Sequence, residues 1–245
     1  MTGTKKKSQV QSILSFDSDK PHTCPVCEMT YNVSIPSEKQ AHTKYHSSFV
    51  NGIPWTTALP SLDSFTLIVK SVKSGRSNTI VRGNIVTIDK TNKSQVSKVD
   101  QLLDMVNQEL SASQDSGEWK SLKHESSKAF VIVIENRAVG VCSTDTVGDS
   151  LGRWMIHSSQ TIVPNQINKS IKIGISRIWI APKWRRYGLG QRFLQVVLKN
   201  SIYGVTLTKQ QIAFSQPSTS GGLLAKSFNG VSHKSGEILI PVYIE

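Results

Sequence analysis

Four side chains with metal-binding chemistry stand together near the start of the chain. Cys24-Pro25-Val26-Cys27 is followed after 14 residues by His42, and then by His46. A C-x2-C pair suits a tight knuckle in which two thiolates reach one ion. Histidines four apart sit one helical turn apart and face the same side. The chain holds only three cysteines and six histidines, so chance assembly of this spacing is a poor alternative. Four soft or borderline ligands suit a structural Zn²⁺ with no open position for a substrate. Tyr31 and Tyr45 are expected to pack the small core. A single finger spans about three base pairs, which favours a structural or docking role over sequence reading.

A second constellation lies in the other half. The run Ile171–Ala181 reads as a strand that stops at Pro182, and Leu189, Phe193, Val196 and Val197 mark one face of a helix reaching Asn200. Between them stands Arg185-Arg186-Tyr187-Gly188-Leu189-Gly190-Gln191. Glycines at a strand-to-helix junction let backbone N–H groups approach an anion, and the helix dipole favours negative charge there. Arg185 and Arg186 add charge. The pattern is neither a P-loop nor a dinucleotide fingerprint, because neither consensus is present.

These sites need elements to hold them. Residues Met1–Thr23 read as a polar, disordered tail, 24–46 as the finger, 47–94 as a linker with weak strands, and 95–245 as one larger domain. Val99, Leu103, Val106 and Leu110 share a helical face. Lys128–Ile134 and Ala138–Ser143 read as a hairpin turning at Glu135-Asn136-Arg137. Gln211–Phe214 and Glu237–Ile244 read as strands, and Gly222–Phe228 as a short helix. No apolar run approaches the ~20 residues of a membrane span, and no secretory signal is expected. The cysteine usage suits a reducing compartment.

Charge is unevenly distributed. The 245 residues carry a net charge of +12, yet no Asp or Glu occurs from Ser150 to Gly236. That stretch holds 12 Lys and Arg, while the remaining 17 basic residues are balanced by 17 acidic ones. An acid-free, basic segment fits nucleic acid, a phosphorylated cofactor or an acidic partner.

R-x-x-G-x-G between strand and helix resembles the acetyl-CoA signature of the GNAT acetyltransferase superfamily. With the finger before it, the chain resembles the cohesin acetyltransferases that establish sister-chromatid cohesion. The likeness rests on Cys24–Tyr31, His42-x3-His46 with Gly52 and Trp55, Gly152-Arg153-Trp154, Gly174–Ile180, Ile212–Pro217, and Gly221–Gly230 followed by His233-Lys234-Ser235-Gly236. It implies a mixed α/β (α+β) fold, with a largely antiparallel sheet flanked by helices behind a CCHH zinc finger. It implies acetyl-CoA as co-substrate, with the pyrophosphate on Arg185–Gln191 and the pantetheine arm along Ile178-Trp179-Ile180. It further implies a lysine of the structural-maintenance ATPase subunit of cohesin as acceptor, and nuclear work near chromatin during DNA replication. Gln11-x-x-Leu14 in the tail resembles a degenerate sliding-clamp-binding motif. The rival readings are a zinc-finger DNA-binding adaptor without turnover and an acetyltransferase acting on histones.

The acceptor amine, with a free pKa of ~10.4, must shed a proton before it attacks a thioester. No carboxylate in the acid-free stretch can take it. Asp145, Asp149, Glu135 or Glu237 could reach in, a bound partner could supply the base, or positive surroundings could favour the neutral amine. Ser176 and Gln216 are then expected to orient the amine or a water. Cys142 is expected in the core, Tyr187 and Tyr203 are candidate acids, and Arg153-Trp154 either binds substrate or braces the sheet.

Overall fold

A computed structural model describes residues 20–70, 78–112 and 117–244. The tail motif Gln11–Leu14 lies outside them. The chain divides into two compact units, Met1–Ser47 and Ser48–Glu245. Among the described residues no helix is long and apolar enough to cross a membrane.

The first unit pairs β1 (His22–Thr23) with β2 (Thr30–Tyr31) and continues into α1 (Pro36–Asn51). The turn between the two strands closes through Cys24 O, which accepts from Glu28 N at 2.9 Å, and Met29 O, which accepts from Cys24 N at 3.0 Å. The helix start is tied down by the Glu38 carboxylate, which accepts from Asn32 N at 2.6 Å.

In the second unit come β3 (Ile53–Pro54), β4 (Asp63–Lys70), β5 (Asn78–Thr87), α2 (Lys93–Leu110), β6 (Ala129–Ile134), β7 (Arg137–Thr146), β8 (Gly152–Ile156) and β9 (Thr161–Ile162). After them run β10 (Ile173–Ile180), α3 (Leu189–Asn200), β11 (Ile212–Phe214), α4 (Thr219–Asn229), β12 (Val231–Ser232) and β13 (Ile238–Tyr243). Among the described residues these strands form one mixed sheet ordered β4-β5-β6-β7-β10-β11-β13-β8-β9, with β12 on β13 and β3 on β7. Among the described residues only β10–β11 and β11–β13 are parallel pairs. The fold is therefore the mixed, largely antiparallel architecture expected from the sequence.

The centre of the sheet is a continuous apolar run because both faces are covered. Phe130, Val131, Ile132, Val139, Val141, Ile173 and Ile175 are all buried there. Helix α2 buries Val99, Leu102, Leu103, Met105 and Val106, and α3 buries Leu189, Phe193, Leu194, Val196 and Val197. Each such side chain contributes about 1.5–3 kcal/mol. Asn92 caps α2, its Oδ1 accepting from Ser94 N and Gln95 N. The β6–β7 turn is tighter than expected: Glu135 and Asn136 both have positive φ, 48° and 59°, the two-residue hairpin geometry that matches strand twist.

Two sequence expectations differ from the structure. Residues 47–94, read as a linker with weak strands, hold β4 and β5, a long hairpin that β6 extends through Gly83–Thr87. The weak strands read there are these two, which pair with each other; what local pattern does not show is the pairing of β5 with the distant β6 that joins them to the sheet. Leu110 was expected on the buried face of α2 but is 38% exposed. The helix ends there, because Ser111 takes a left-handed conformation with φ 48°.

Candidate active site and metal centre

In the first unit one ligand atom from each of Cys24, Cys27, His42 and His46 lies within 4.8 Å of all the others. Cys24 Sγ is 3.4 Å from His46 Nδ1. Backbone N–H groups of Cys27 and then Val26 hold the Cys24 thiol down to about 5, while burial pushes the Cys27 thiol up. His42 Nε2 is buried with no hydrogen-bond partner among the described residues, and its ring stacks on Tyr31 at 4.0 Å. A thiolate-rich knuckle facing an orphaned imidazole nitrogen is the donor set of a tetrahedral Zn²⁺.

The second site begins with a discontinuity in β10. Against β7, Ile175 pairs with Thr144 and Arg177 with Ser143, so Ser176 is the extra residue of a β-bulge. Bulges re-aim a side chain and bend the strand. On its other edge β10 pairs with β11 only from Ile173 to Ile175. Ser215 N still donates to Ile175 O at 3.0 Å and Ser215 Oγ to Ser176 O at 2.9 Å. Beyond that point β10 runs on to Ile180 with no strand partner on this edge among the described residues.

A cavity of about 550 Å³ opens at this divergence. Ser176, Arg177, Ser215, Gln216 and Tyr243 line it, with Leu110, Ile162, Pro217 and Ile244. The structure thus brings Ser176 and Gln216, 40 positions apart in the chain, to one pocket. Of the four carboxylates weighed from sequence, one reaches this region. Asp145 is buried on β7, opposite Gly174, and accepts from the Tyr243 hydroxyl at 2.8 Å. The Tyr243 ring needs Gly174 beneath it, since a Cβ there would lie 2.5 Å from the ring. Asp149 is exposed and 3.5 Å from Lys172, Glu135 sits in the β6–β7 turn, and Glu237 accepts from Ser158. Tyr243 itself escaped the sequence reading, because an aromatic in a final strand carries no local signal.

The glycine loop has the expected form. Gly188 caps α3 with φ 75° and no side-chain cap, and a Cβ built there meets nothing within 4 Å. With no side-chain cap, the first N–H groups of α3 stand at the positive end of the helix. Ile178, Trp179 and Ile180 lie on the unpaired stretch of β10. Arg186 and Tyr187 are exposed beside Gly188.

Two residues expected to meet cofactor are engaged elsewhere. Arg185 donates to both Glu109 oxygens, at 2.8 and 3.1 Å, and to Ile180 O at 2.7 Å. Gln191 donates to Ser227 Oγ at 2.8 Å, tying α3 to α4. Glu109 also accepts from the buried Trp179 indole N–H, and Arg177 Nε donates to Asn107 Oδ1 at 3.0 Å. The end of α2 is thus fastened to β10 and to the glycine loop. Nothing in the sequence near Glu109 signals this.

Other expectations concern residues away from the pocket. Cys142 is fully buried and burial pushes its thiol up, so it is inert core. Tyr203 is fully exposed. Arg153 and Trp154 lie in β8 opposite Val242 and Pro241 of β13.

The mixed sheet with its divergent strands and the Cys/His cluster fit one class, an acetyltransferase that carries a zinc finger, and comparison with known proteins shows it. Residues 169–239 match the ESCO1/2 acetyl-transferase model, and residues 11–48 match the zinc-finger of acetyl-transferase ESCO. N-acetyltransferase ECO1 of Debaryomyces hansenii is 47% identical, over 99% of this chain and 91% of its own. N-acetyltransferase ECO1 of Saccharomyces cerevisiae is 33% identical, over 98% and 96%. The xEco2 acetyltransferase domain bound to a K105-CoA conjugate shares the fold, with a TM-score of 0.53 at 22% identity over 66% of this chain and 93% of that one. The chain belongs to the Eco1/ESCO family of N-acetyltransferases, with acetyl-CoA as co-substrate and a structural zinc ion.

Proposed function

We propose that the chain acetylates a lysine of the structural-maintenance ATPase subunit of cohesin, and so establishes sister-chromatid cohesion in the nucleus during DNA replication. The observation that carries this reading is the pocket at the β10–β11 divergence, where Ser176, Gln216 and Tyr243 converge beside an unpaired strand edge. Family membership supports the acceptor class.

The Ile178–Ile180 edge would hydrogen-bond the pantetheine amides. The N–H groups of Gly188–Gln191 would meet the pyrophosphate, with Arg186 as the nearby cation and Arg185 shaping the loop from behind. In the transfer, the lysine nitrogen forms a bond to the acetyl carbon, the carbon–sulfur bond breaks, and the thiolate leaves. The amine's proton passes to the Tyr243 oxygen as the Tyr243 proton moves onto Asp145, whose carboxylate is 2.8 Å away. Ser176 and Gln216 orient the amine. Cys24, Cys27, His42 and His46 hold the zinc ion, which shapes the finger and takes no part in transfer. Gln11–Leu14 would tether the enzyme to the replication sliding clamp.

The test is acetyl transfer by the full chain to a purified cohesin ATPase head and, separately, to histone-tail peptides. Modification of the head is expected to dominate. Gly188→Asp, which sets a negative charge against the pyrophosphate, should abolish acetyl-CoA binding by calorimetry. Faster transfer to histone peptides, or normal cofactor affinity in the variant, would overturn the assignment.

A further inference from the structure

Strand β4 ends the sheet: among the described residues its far edge pairs with no strand. That edge lacks the devices that keep long edges single. It pairs with β5 from Asp63 to Lys70 without a register shift, so no bulge turns it away. From Ser64 to Val69 it holds no proline and no charged residue. On its outward face Ile68 lies opposite Ile80, and the two are 64% and 70% exposed. One exposed aliphatic side chain is ordinary. Two paired across adjacent strands beside an open edge leave apolar surface that a further strand would cover.

Both faces beside the edge are basic. On the outward face Arg82, two residues from Ile80, is exposed opposite Thr66. A residue added across from Thr66 would stand about 10 Å from the Arg82 backbone, two strand spacings. An arginine and a glutamate side chain span that distance together. On the other face Leu62 and Asp63 at the start of β4 line a cavity of about 310 Å³ with Arg192, Gln195 and Lys199 of α3. Arg192 pairs with Asp63 at 2.7 Å and lies over the Phe65 ring at 5.2 Å. Asp63 is the one carboxylate of this lining, and Arg192 already matches it. Lys199 stands two turns further along α3, and among the described residues neither it nor Arg82 has an ion pair. Between Asp63 and Asp89 the sequence holds no acidic residue and four basic ones. A lysine-rich strand would meet like charge on both faces, and an acidic one would find a counter-charge on each.

We propose that the free edge of β4 is a docking site for an extended acidic segment of a partner protein, which joins the sheet as a further strand. Main-chain hydrogen bonds give the affinity, and alternate side chains give the choice of segment. An aliphatic residue beside Ile68 and a carboxylate two positions on, beside Thr66, suit the outward face. A second carboxylate beside Asp63 suits the Lys199 cavity. The strand, Arg82 and Lys199 lie outside both the transfer pocket and the glycine loop, so docking and transfer are separable.

The test uses the full chain and two fluorescein-labelled peptides as long as β4, in which valine alternates with glutamate or with lysine. The glutamate peptide should bind at least about tenfold more tightly, and added salt should narrow that ratio. Its binding should slow hydrogen exchange at the amides of Ser64–Val69. The same peptide N-methylated throughout keeps its side chains but loses every main-chain donor, and should not bind. The double variant Arg82→Glu with Lys199→Glu, both at exposed positions, should turn the preference towards the lysine peptide, with acetyl-CoA affinity unchanged by calorimetry. Unaltered exchange at Ser64–Val69, equal binding of the two peptides, binding of the N-methylated one, or an unaltered preference in the variant would each overturn the proposal. Protection of those amides by a short DNA duplex in place of the peptide would assign the edge to nucleic acid instead. Protection in the chain alone, together with a doubled mass in sedimentation, would assign it to a second copy.

Discussion

Tyr243 links the pocket to Asp145, the one buried carboxylate near it among the described residues. Its ring lies over Gly174 and its hydroxyl donates to Asp145 at 2.8 Å. Tyr243→Phe keeps the ring and removes the relay. It should lower kcat by at least about tenfold, within the range of general acid–base effects, and leave acetyl-CoA affinity unchanged. Stability should fall by about 1–3 kcal/mol, because a buried carboxylate loses a donor. Unchanged kcat in a variant with that stability loss would show the hydrogen bond to be structural only. At this scale the sequence was legible where chemistry is local. The C-x2-C and H-x3-H spacings define the metal ligands without help from the fold. Asp145 was one carboxylate among four, and only the pairing of β7 with β10 distinguishes it.

The elements explain how the site is held. The last turn of α2 supplies Leu110–Ala112 to the pocket wall and is fastened through Asn107 to Arg177 and through Glu109 to Trp179 and Arg185. A carboxylate that accepts from one guanidinium nitrogen with both oxygens and also captures an indole N–H orients the groups on both sides of it. Glu109→Gln keeps an acceptor for Trp179 and loses the charge opposite Arg185. It should raise the KM for acetyl-CoA and for the acceptor severalfold, with a much smaller change in kcat. The double variant with Arg185→Gln should be no worse than either single one. Additive losses would separate the two residues. Strand β10 and helix α3 were readable from apolar periodicity, because the 2.0 and 3.6 repeats are local. The bulge at Ser176 was not, since it exists only relative to β7. The β4–β5 hairpin was underread for a related reason. Its apolar residues are not all buried: Ile68 and Ile80 face each other across the hairpin and both are exposed.

For the whole molecule, the net charge of +12 lies in the segment that carries the glycine loop and much of the pocket. The finger contributes little of it. Its role is fixed by metal: Cys24→Ser, or chelation of the full chain, should release one zinc per chain and unfold the segment around Cys24–His46 while acetyl-CoA affinity is kept. Stoichiometric zinc in Cys24→Ser would refute the ligand set. The central claim is that lysine and acetyl-CoA meet where β10 and β11 part. A crystal structure of the chain with a lysine–CoA conjugate tests it most directly. The expected result has the pyrophosphate on the N–H groups of Gly188–Gln191 and the lysine stem between Ser176 and Gln216, within reach of Tyr243. A conjugate seated on any other surface, with that pocket closed, would contradict it.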